Sequence, residues 1–390
     1  MLILSIETSC DETAVSIIEA TGNFPTARYQ ISGNALFSQV DIHKEFGGVF
    51  PMVAKREHAK TLVPMLEQAL TEAELLENTP TEISDSQIEK ITSVLEREDG
   101  LADTLLEFLK SHELPEINLI TVTSGPGLEP ALWVGISFAK ALAVVLDCSV
   151  VPVNHMEGHI LAAIYNVVED DALAPILFPA IALLISGGHT ELILMRDWAQ
   201  YEKIGETRDD AVGEAFDKVA RLMGLSYPGG PEIGRRASEA RASLLPPYKD
   251  KLPRPMIGTD DYDFSFSGLK TAVRYAIDNR KMTEDEKNAL ARDFEEAVTE
   301  VLLKKTTKAI DNFDAQTLII GGGVSANIFI RRSFETELLR THPDVEIYLP
   351  HRNLSTDNSI MIALAGHAEM ANGRTGGALT LLKADGNRSL

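Results

Sequence analysis

The sequence predicts an α/β protein made of two lobes with related topology. Three observations lead to this prediction: apolar strands alternate with amphipathic helices along the 390 residues, a strand, tip and strand unit occurs twice, and a strand, glycine loop and helix unit also occurs twice. A chain of this length can form one large domain or two of ordinary size, and the repeats favour two. We expect a ligand in the crevice between the lobes.

The first repeated unit is a pair of apolar strands around a short polar tip. It reads "LILSIET", "SCDE" and "TAVSIIEA" from Leu2, and "IALLIS", "GGH" and "TELILM" from Ile181. The β-branched residues on these arms favour strands. The second tip has glycines where the first has charge.

The second repeated unit runs from an apolar strand through a glycine-rich loop into a helix. It reads "NLITVTSGPGLEPALWVGISFAKALAVVL" from Asn118 and "TLIIGGGVSANIFIRRSFETELL" from Thr317. Glycines before a helix let the backbone approach a ligand closely, and the free N–H groups favour an anion. One such loop indicates little, but the pair favours a nucleotide or phosphate site over two ordinary tight turns.

We place the N-terminal lobe at residues 1–153 and the C-terminal lobe at 154–390, with the last helix packing back on the first lobe. A helical insertion is predicted at about 76–112 from "SQIEKITSVLERE" and "LADTLLEFLKS". Fourteen acidic and three basic residues between Glu67 and Glu116 give this region a net charge of -11, half of the total of -22. The apolar positions of the insertion recur at helical spacing, and we expect them to pack on the parent lobe.

Composition excludes several classes of protein. No apolar run has the length that a transmembrane helix needs, and Glu7 interrupts the first apolar run, so neither a membrane span nor a secretory signal is expected. Two cysteines, Cys10 and Cys148, exclude a disulfide framework and fit the reducing cytosol. The strong negative charge argues against unaided nucleic-acid binding. We interpret the basic run "GRRASEAR" and Lys304, Lys305 and Lys308 as solvated helix faces.

Two histidines in "VNHMEGHILAA" stand four residues apart at the start of an amphipathic helix. On a helix, His155 and His159 share one face and can present two imidazoles to one ion. The best third ligand is Asp357 in "STDNSIMIA", although an Asp at a helix start can also be only an N-cap. Such a set suits non-haem iron or catalytic zinc. The spacing also resembles a zinc protease helix, but Met156 occupies the place of its glutamate base.

With these residues in view, the chain resembles the TsaD family of bacterial tRNA N6-adenosine threonylcarbamoyltransferases, formerly called glycoproteases or O-sialoglycoprotein endopeptidases. The resemblance implies the actin-like ATPase fold of Hsp70 and sugar kinases, with two lobes of duplicated topology and a cleft between them. The motifs that carry it are "IETSCDET", "HKEFGGVFPMVAKREH", "SGPGLEPALWVGISFAKALA", "NHMEGHI", "LLISGGHTEL", "DDAVGEAFDKVARLMGL", "YPGGPEI", "DFSFSGLKTAV", "GGGVSAN" and "DNSIMIA".

The resemblance also implies site residues. It implies one iron(II) per subunit, with zinc as the alternative, on His155, His159 and Asp357. It implies binding of threonylcarbamoyl-AMP by Leu184, Ile185, Ser186, Gly187, Gly188, Asp217, Gly230 and Asn327. Ser186 to Gly188 end a strand and can offer backbone N–H groups to an anion. No residue identifies itself as the catalytic base. Asp11 and Glu12 at the first hairpin tip could face the cleft and orient the amine, but we favour the interpretation that they are surface acids of a turn.

The activity implied is transfer of threonylcarbamoyl from threonylcarbamoyl-AMP to N6 of adenosine 37, with release of AMP, in tRNAs that read codons beginning with A. The implied partners are tRNA, the actin-like paralogue TsaB, the P-loop ATPase TsaE and a separate enzyme that makes the adenylate, all in the cytoplasm. Two alternatives remain: a metallopeptidase, suggested by the histidine pair alone, and a non-catalytic actin-like scaffold paralogue.

Overall fold

The computed structural model describes residues 1–166, 168, 170–277, 282–374 and 379–390. Its strands are β1 (Leu2–Glu7), β2 (Glu12–Thr21), β3 (Arg28–Ser38), β4 (Leu119–Gly125), β5 (Ser149–Asn154), β6 (Tyr165–Asn166), β7 (Ala172–Leu173), β8 (Ala180–Ile185), β9 (Thr190–Asp197), β10 (Gln200–Glu206), β11 (Thr317–Gly321) and β12 (Glu346–Tyr348).

The helices lie between and after these strands. They are α1 (Val40–Lys44), α2 (Pro51–Glu72), α3 (Asp85–Val94), α4 (Leu101–Leu109), α5 (Glu129–Leu146), α6 (His155–Ile164), α7 (Val212–Leu222), α8 (Gly229–Ala242), α9 (Ser267–Ile277), α10 (Glu284–Phe313), α11 (Ile328–Thr341) and α12 (Ser359–Ala371), with short 3-10 helices at Gly323–Ala326, Arg352–Leu354 and Leu379–Leu381.

The chain forms two compact units. Unit 1 contains Met1–Ala174 and Asp357–Leu390, and unit 2 contains Pro175–Thr356. The predicted boundary after residue 153 differs from this division because α6 follows β5 directly and packs against α12 within unit 1. The last long helix, α12, lies against β1 and β5, and Tyr29 Oη is 2.9 Å from Nδ1 of His367 on that helix. The chain therefore returns to its first unit after completing the second.

The two units share one strand order. In unit 1 the order is β3, β2, β1, β4, β5, with β7 and β6 added beyond β3, and in unit 2 it is β10, β9, β8, β11, β12. In each unit the first two strands are antiparallel, and the first strand is parallel to the one that follows the helical crossover. The predicted duplication is therefore confirmed, and the two hairpin tips occupy equivalent positions.

The predicted insertion packs on its parent unit. Ser84 begins α3 with a reciprocal cap, in which its side chain accepts from Gln87 N and the Gln87 side chain accepts from Ser84 N. Ile91 on α3 and Leu105 on α4 are fully buried in a core shared with α2 and α5. The helical spacing of these apolar residues reflects this contact, as the sequence predicts.

One described helix, α5, is long and apolar enough to cross a bilayer, which the sequence analysis did not anticipate. Its 18 residues have a mean hydropathy of 1.5, but 61% of them are buried. They pack against α2, α3 and β4 inside unit 1. This is the arrangement of a helix that belongs to the core of its unit.

Candidate functional site

The histidine pair lies at the start of α6 because β5 ends in a helix cap. The side chain of Asn154 accepts a hydrogen bond of 2.9 Å from Met156 N, so helical geometry begins at His155. His159 follows one turn later on the same face. The two rings are perpendicular with centroids 4.7 Å apart, and the residues are only 5% and 1% exposed.

Asp357 completes a three-residue cluster with the pair. Its Oδ1 lies 3.4 Å from His155 Nε2 and 3.3 Å from His159 Nε2. The N-cap of α12 is the next residue, Asn358, whose side chain accepts from Met361 N at 3.0 Å. The alternative that Asp357 serves only as an N-cap is therefore wrong, since its carboxylate faces the imidazoles instead.

The donor set fits a divalent metal ion. One potential ligand atom from each of His155, His159 and Asp357 lies within 4.8 Å of the others. His159 Nε2 is buried without a hydrogen-bond partner among the described residues, which is costly for a polar atom unless a metal ion takes its lone pair. Two imidazoles and one carboxylate leave coordination positions open, as catalytic iron and zinc sites require.

A buried glutamate that the sequence analysis noted only as an interruption of an apolar run supports the pair. Glu7, at the end of β1, is fully buried, and its Oε2 lies 3.3 Å from His155 Nδ1. It also accepts from Ser9 N at 2.5 Å and from Thr123 Oγ1. A carboxylate on one imidazole nitrogen directs the other nitrogen towards a metal. A charged residue at the end of an otherwise apolar strand was the available signal.

Charge and burial set the protonation of the cluster. Burial alone raises the pKa of Asp357, but the two imidazoles outweigh it and hold that pKa well below its usual range. Burial lowers the pKa of His159. Burial also opposes protonation of His155, yet Asp357 and Glu7 raise its pKa well above the ordinary value. The directions for Asp357 and His159 favour the ionised carboxylate and the neutral imidazole that bind metal, whereas His155 has to release a proton when a metal binds.

The tip between β1 and β2 is buried rather than exposed. Asp11 is 7% exposed, and in the part of the chain that the structure describes its buried Oδ2 has no hydrogen-bond partner. Burial raises the pKa of Asp11, and burial followed by the charge of Asp11 raises the pKa of Glu12 well above its usual value. The interpretation of these two residues as surface acids is therefore wrong.

The equivalent tip of unit 2, between β8 and β9, is a strip with open backbone. Ser186 N donates to His189 O at 2.9 Å, and His189 N donates to Ser186 Oγ at 3.0 Å. Gly187 and Gly188 at the end of this turn are exposed, and within the described residues their N–H groups make no hydrogen bond. The glycines, and not Ser186, are therefore the residues that can offer N–H groups to an anion.

Leu184 and Ile185 lie under this tip rather than on it. Both are fully buried in β8, which pairs with β9 and β11. Their side chains belong to the sheet, so they can only support the strip. The loop after β11 lies directly against the end of β8. The contact is so close that a Cβ at Gly322 would collide with Ile185 O.

Asp217 and Gly230 lie where α7 meets the start of α8. Asp217 Oδ1 accepts a hydrogen bond of 2.7 Å from Gly229 N. A Cβ at Gly229 would stand 2.8 Å from Asp217 Cα, whereas a Cβ at Gly230 would meet nothing within 4 Å. Gly229 thus permits close packing of the two helices, and Gly230 faces open space.

Asn327 is the N-cap of α11 and also holds a buried carboxylate. Its Oδ1 accepts from Ile330 N at 3.0 Å, and its Nδ2 donates to Glu295 Oε1 at 2.7 Å. Glu295 is 1% exposed, and its other oxygen pairs with Arg241 at 2.6 Å. Burial raises the pKa of Glu295, although Asn327 and Arg241 oppose the shift. Glu295 could not be singled out from the sequence, because it lies inside a long helix without any motif.

The sequence-predicted substrate residues converge in one region of unit 2. Gly213 N on α7 donates to Ser186 O at 3.1 Å, which joins α7 to the strip. Gly234 on α8 faces Asn327, because a Cβ there would lie 3.6 Å from Asn327 Nδ2. The strip, α7, the start of α8 and the loop after β11 therefore surround a common place.

The glycine-rich loop of unit 1 differs, since the last described residues of the chain cover it. Asp385 N donates to Ser124 O at 2.8 Å, Gly127 N donates to Gly386 O at 3.2 Å, and a Cβ at Gly125 would collide with Asp385 O. The guanidinium of Arg388 also binds Ser124 Oγ. The prediction of an anion site therefore fails for this loop, because the chain itself fills the place.

Comparison with known proteins assigns the family. A family model described as TsaD, tRNA N6-adenosine threonylcarbamoyltransferase, matches residues 30–85 and 97–364. The chain belongs to the TsaD family. Proteins named tRNA N6-adenosine threonylcarbamoyltransferase from Staphylococcus aureus strains Mu3 and Newman are 39% and 40% identical over 377 residues, covering 96% of this chain and 93% of each relative. The resemblance based on motifs is confirmed.

The TsaD model leaves residues 86–96 unmatched, and these contain most of α3. Among solved structures, the crystal structure of T. kodakarensis HypF aligns with a TM-score of 0.53 at 12% sequence identity, over 95% of this chain and 48% of HypF. At this identity the likeness shows the fold alone. It confirms the predicted actin-like ATPase fold for this TsaD-family chain.

Proposed function

We propose that this protein transfers a threonylcarbamoyl group to N6 of adenosine 37 in tRNAs that read codons beginning with A, and releases AMP. The observation that carries the proposal is the TsaD match over residues 30–85 and 97–364, within which the buried His155 and His159 form one cluster with the partly exposed Asp357. The protein is accordingly an enzyme of the transferase class.

The donor in this proposal is threonylcarbamoyl-AMP, bound in unit 2. The exposed N–H groups of Gly187 and Gly188 are oriented donors for its phosphate or carbamate oxygens. Gly230 gives a ligand close access to the backbone. Asp217 and Asn327 already hold Gly229 and Glu295, so they shape the site as well as offering polar contacts.

The reaction is an acyl transfer. The N6 amine attacks the carbamoyl carbon, a C–N bond forms, the bond from that carbon to the phosphate oxygen breaks, and the amine loses a proton as AMP departs. The N–H groups of the glycine strip stabilise negative charge on an oxygen without reorganising, which is the main physical contribution of such a turn.

The cofactor in this proposal is one iron(II) per subunit, with zinc as the alternative. His155, His159 and Asp357 would hold it, and Glu7 orients the first imidazole. A bound divalent ion supplies a Lewis acid for an oxygen that gains negative charge.

The proposed partners are the tRNA, the paralogue TsaB and the ATPase TsaE, and the proposed location is the cytoplasm. A net charge of -22 repels a polyanion, so basic surfaces on partners would add to the affinity for tRNA.

The two alternative functions are not favoured. A metallopeptidase of the zinc protease type needs a glutamate directly after the first histidine, and Met156, which is 1% exposed, occupies that position. A non-catalytic scaffold has no use for a set of three ligands in which the buried His159 Nε2 makes no hydrogen bond to the described residues.

The decisive experiment incubates the protein and its two partner proteins with synthetic threonylcarbamoyl-AMP and unmodified tRNA. Mass analysis of the digested tRNA should show threonylcarbamoyladenosine, with one AMP released for each nucleoside formed. Reactions without donor, and tRNA with another base at position 37, serve as controls. Absence of the modified nucleoside would contradict the proposal. Cleavage of casein in a separate peptidase assay would contradict it as well.

A further inference from the structure

A strongly basic cavity lies between two helices of unit 2. Its volume is about 370 Å³, and its lining residues are Lys218, Arg221, Leu222, Lys270, Thr271 and Arg274. The first three share one face of α7, and the last three lie on α9. Four of the six carry positive charge and none is acidic, on a chain with a net charge of -22.

One partly buried carboxylate positions the two lysines of this cavity. Asp210 Oδ1 lies 2.7 Å from Lys218 Nζ, and its Oδ2 lies 3.2 Å from Lys270 Nζ. Lys218 also pairs with Glu214 at 2.8 Å. The lysines are thus fixed in place by acids outside the lining, while the excess positive charge resides on the arginines.

The two arginines are available to an external anion. Arg221 and Arg274 are exposed, and within the described residues neither guanidinium makes a hydrogen bond or an ion pair. A guanidinium binds a phosphate group with two parallel hydrogen bonds and is weakly hydrated, so a pair of unoccupied arginines favours a phosphate ligand.

In contrast to these two arginines, basic residues of the runs that stand out in the sequence are paired with acidic side chains. Arg235 pairs with Glu232 and Glu239, and Arg236 pairs with Glu232 and Glu284. Lys305 is buried and donates to Asp261 at 3.0 Å. The positive charges of these groups are thus balanced by acidic side chains of the fold. In the cavity between α7 and α9, by contrast, positive charge is not fully compensated.

Helix α7 connects this cavity to the substrate strip. Gly213 in its first turn donates to Ser186 O at 3.1 Å, and Arg221 follows eight residues later on the same helix. Eight residues span about 12 Å along a helix. A nucleic acid whose base reaches the strip therefore has backbone phosphates close to the cavity.

We propose that this cavity binds phosphodiester groups of the tRNA close to the adenosine that is modified, with Arg221 and Arg274 as the phosphate contacts. The inference rests on the proposed function, which requires a tRNA. It resolves the conflict between an acidic chain and a polyanionic substrate, because binding needs a local positive surface and not a positive total.

The test compares R221Q/R274Q with R196Q/R340Q, which removes the same charge from two exposed arginines that pair with Glu202 and Glu337. Affinity for unmodified tRNA is measured at several salt concentrations in the full chain with its partner proteins. Loss of two phosphate contacts should lower the slope of log K against log salt by about 1.4 to 1.8. Affinity at low salt should fall roughly tenfold, while the control variant keeps the wild-type slope.

Kinetics separate this inference from the proposed function. R221Q/R274Q should raise KM for tRNA about tenfold, with kcat at saturating tRNA and affinity for a stable adenylate analogue unchanged. If the wild type modifies tRNA and this variant keeps its tRNA affinity, salt slope and KM, the inference is overturned and the cavity is left to an acidic protein partner. If the wild type fails to modify tRNA, the proposed function itself fails.

Discussion

The tips of the two equivalent hairpins present opposite chemistry on the same backbone topology. The tip between β1 and β2 is buried and ends in Asp11, whose Oδ2 has no hydrogen-bond partner among the described residues. The tip between β8 and β9 exposes Gly187 and Gly188, whose N–H groups make no hydrogen bond within the described part of the chain. One unit thus offers acceptors beside a metal-ligand set, and the other offers donors for an anion. A duplicated fold fixes where a tip lies, and the side chains decide what it can bind.

The glycine-rich loops that follow the fourth strand of each unit diverge in the same way. In unit 2 the loop lies against the strip through Gly322, and its last residue, Asn327, caps α11. In unit 1 the loop receives Asp385 and Gly386 from the end of the chain. Similar local patterns therefore have different surroundings, since the end of the chain covers the unit 1 loop and the hairpin tip adjoins the unit 2 loop.

The largest effect should come from removing both imidazoles of unit 1. H155A/H159A should lose its bound metal almost completely, from about one ion per chain to none, because Asp357 alone cannot hold a divalent ion. Metal content after anaerobic purification measures this loss. H342A, which alters a surface histidine paired with Asp311, is the control. Full metal content in the double variant would show that the ligand set is misassigned.

A smaller loss of metal affinity is expected from E7Q. The substitution keeps the shape of the side chain and removes the charge that orients His155, so affinity should fall about 10-fold to 100-fold. Competition with a chelator of known affinity gives the value. E19Q, an exposed change on the next strand, should leave affinity unchanged. If E7Q and E19Q bind the metal equally well, Glu7 on the first hairpin does not support the metal ligands of unit 1.

The role of the hairpin tip of unit 2 in ligand binding can be tested by adding a methyl group where the fold leaves open space. An added Cβ at Gly187 meets nothing within 4 Å, so G187A should keep wild-type stability yet weaken binding of an adenylate analogue roughly tenfold, because the methyl group occupies ligand space. G258A, also in open space, is the control. Calorimetric binding with thermal unfolding separates the two effects. Unchanged affinity in G187A would place the ligand elsewhere.

A substitution in the helical insertion should have the smallest effect on binding at either hairpin tip. L105A removes a fully buried side chain from the core shared with α2 and α5, so it should lower the free energy of unfolding by about 2–5 kcal/mol. Metal content and adenylate affinity should not change. Chemical denaturation compared with the exposed change K110A gives the difference. Loss of adenylate binding in folded L105A would mean that the insertion shapes the site.

Patterns local in sequence allowed most of the fold and the metal cluster to be predicted. The strand repeats gave the two sheets, and the four-residue spacing placed His155 and His159 on one face. What could not be predicted depends on contacts between distant segments. Glu7 meets His155 across 148 residues, and Asn327 meets Glu295 across 32. The burial of Asp11 and the covering of Gly125 by Asp385 are likewise set by tertiary packing, which periodicity does not contain.

The cap at Asn154 determines where this chain can tolerate a change of length. Each added residue turns a helix by about 100°, so one residue inserted between Asn154 and His159 would rotate the second imidazole away from Asp357. Changes of length in the loops beside α3 meet no such requirement from a metal ligand, and the unmatched residues 86–96 lie next to these loops. Length variation within the family is therefore expected to accumulate beside α3, whereas the junction from β5 to α6 should keep a constant residue count.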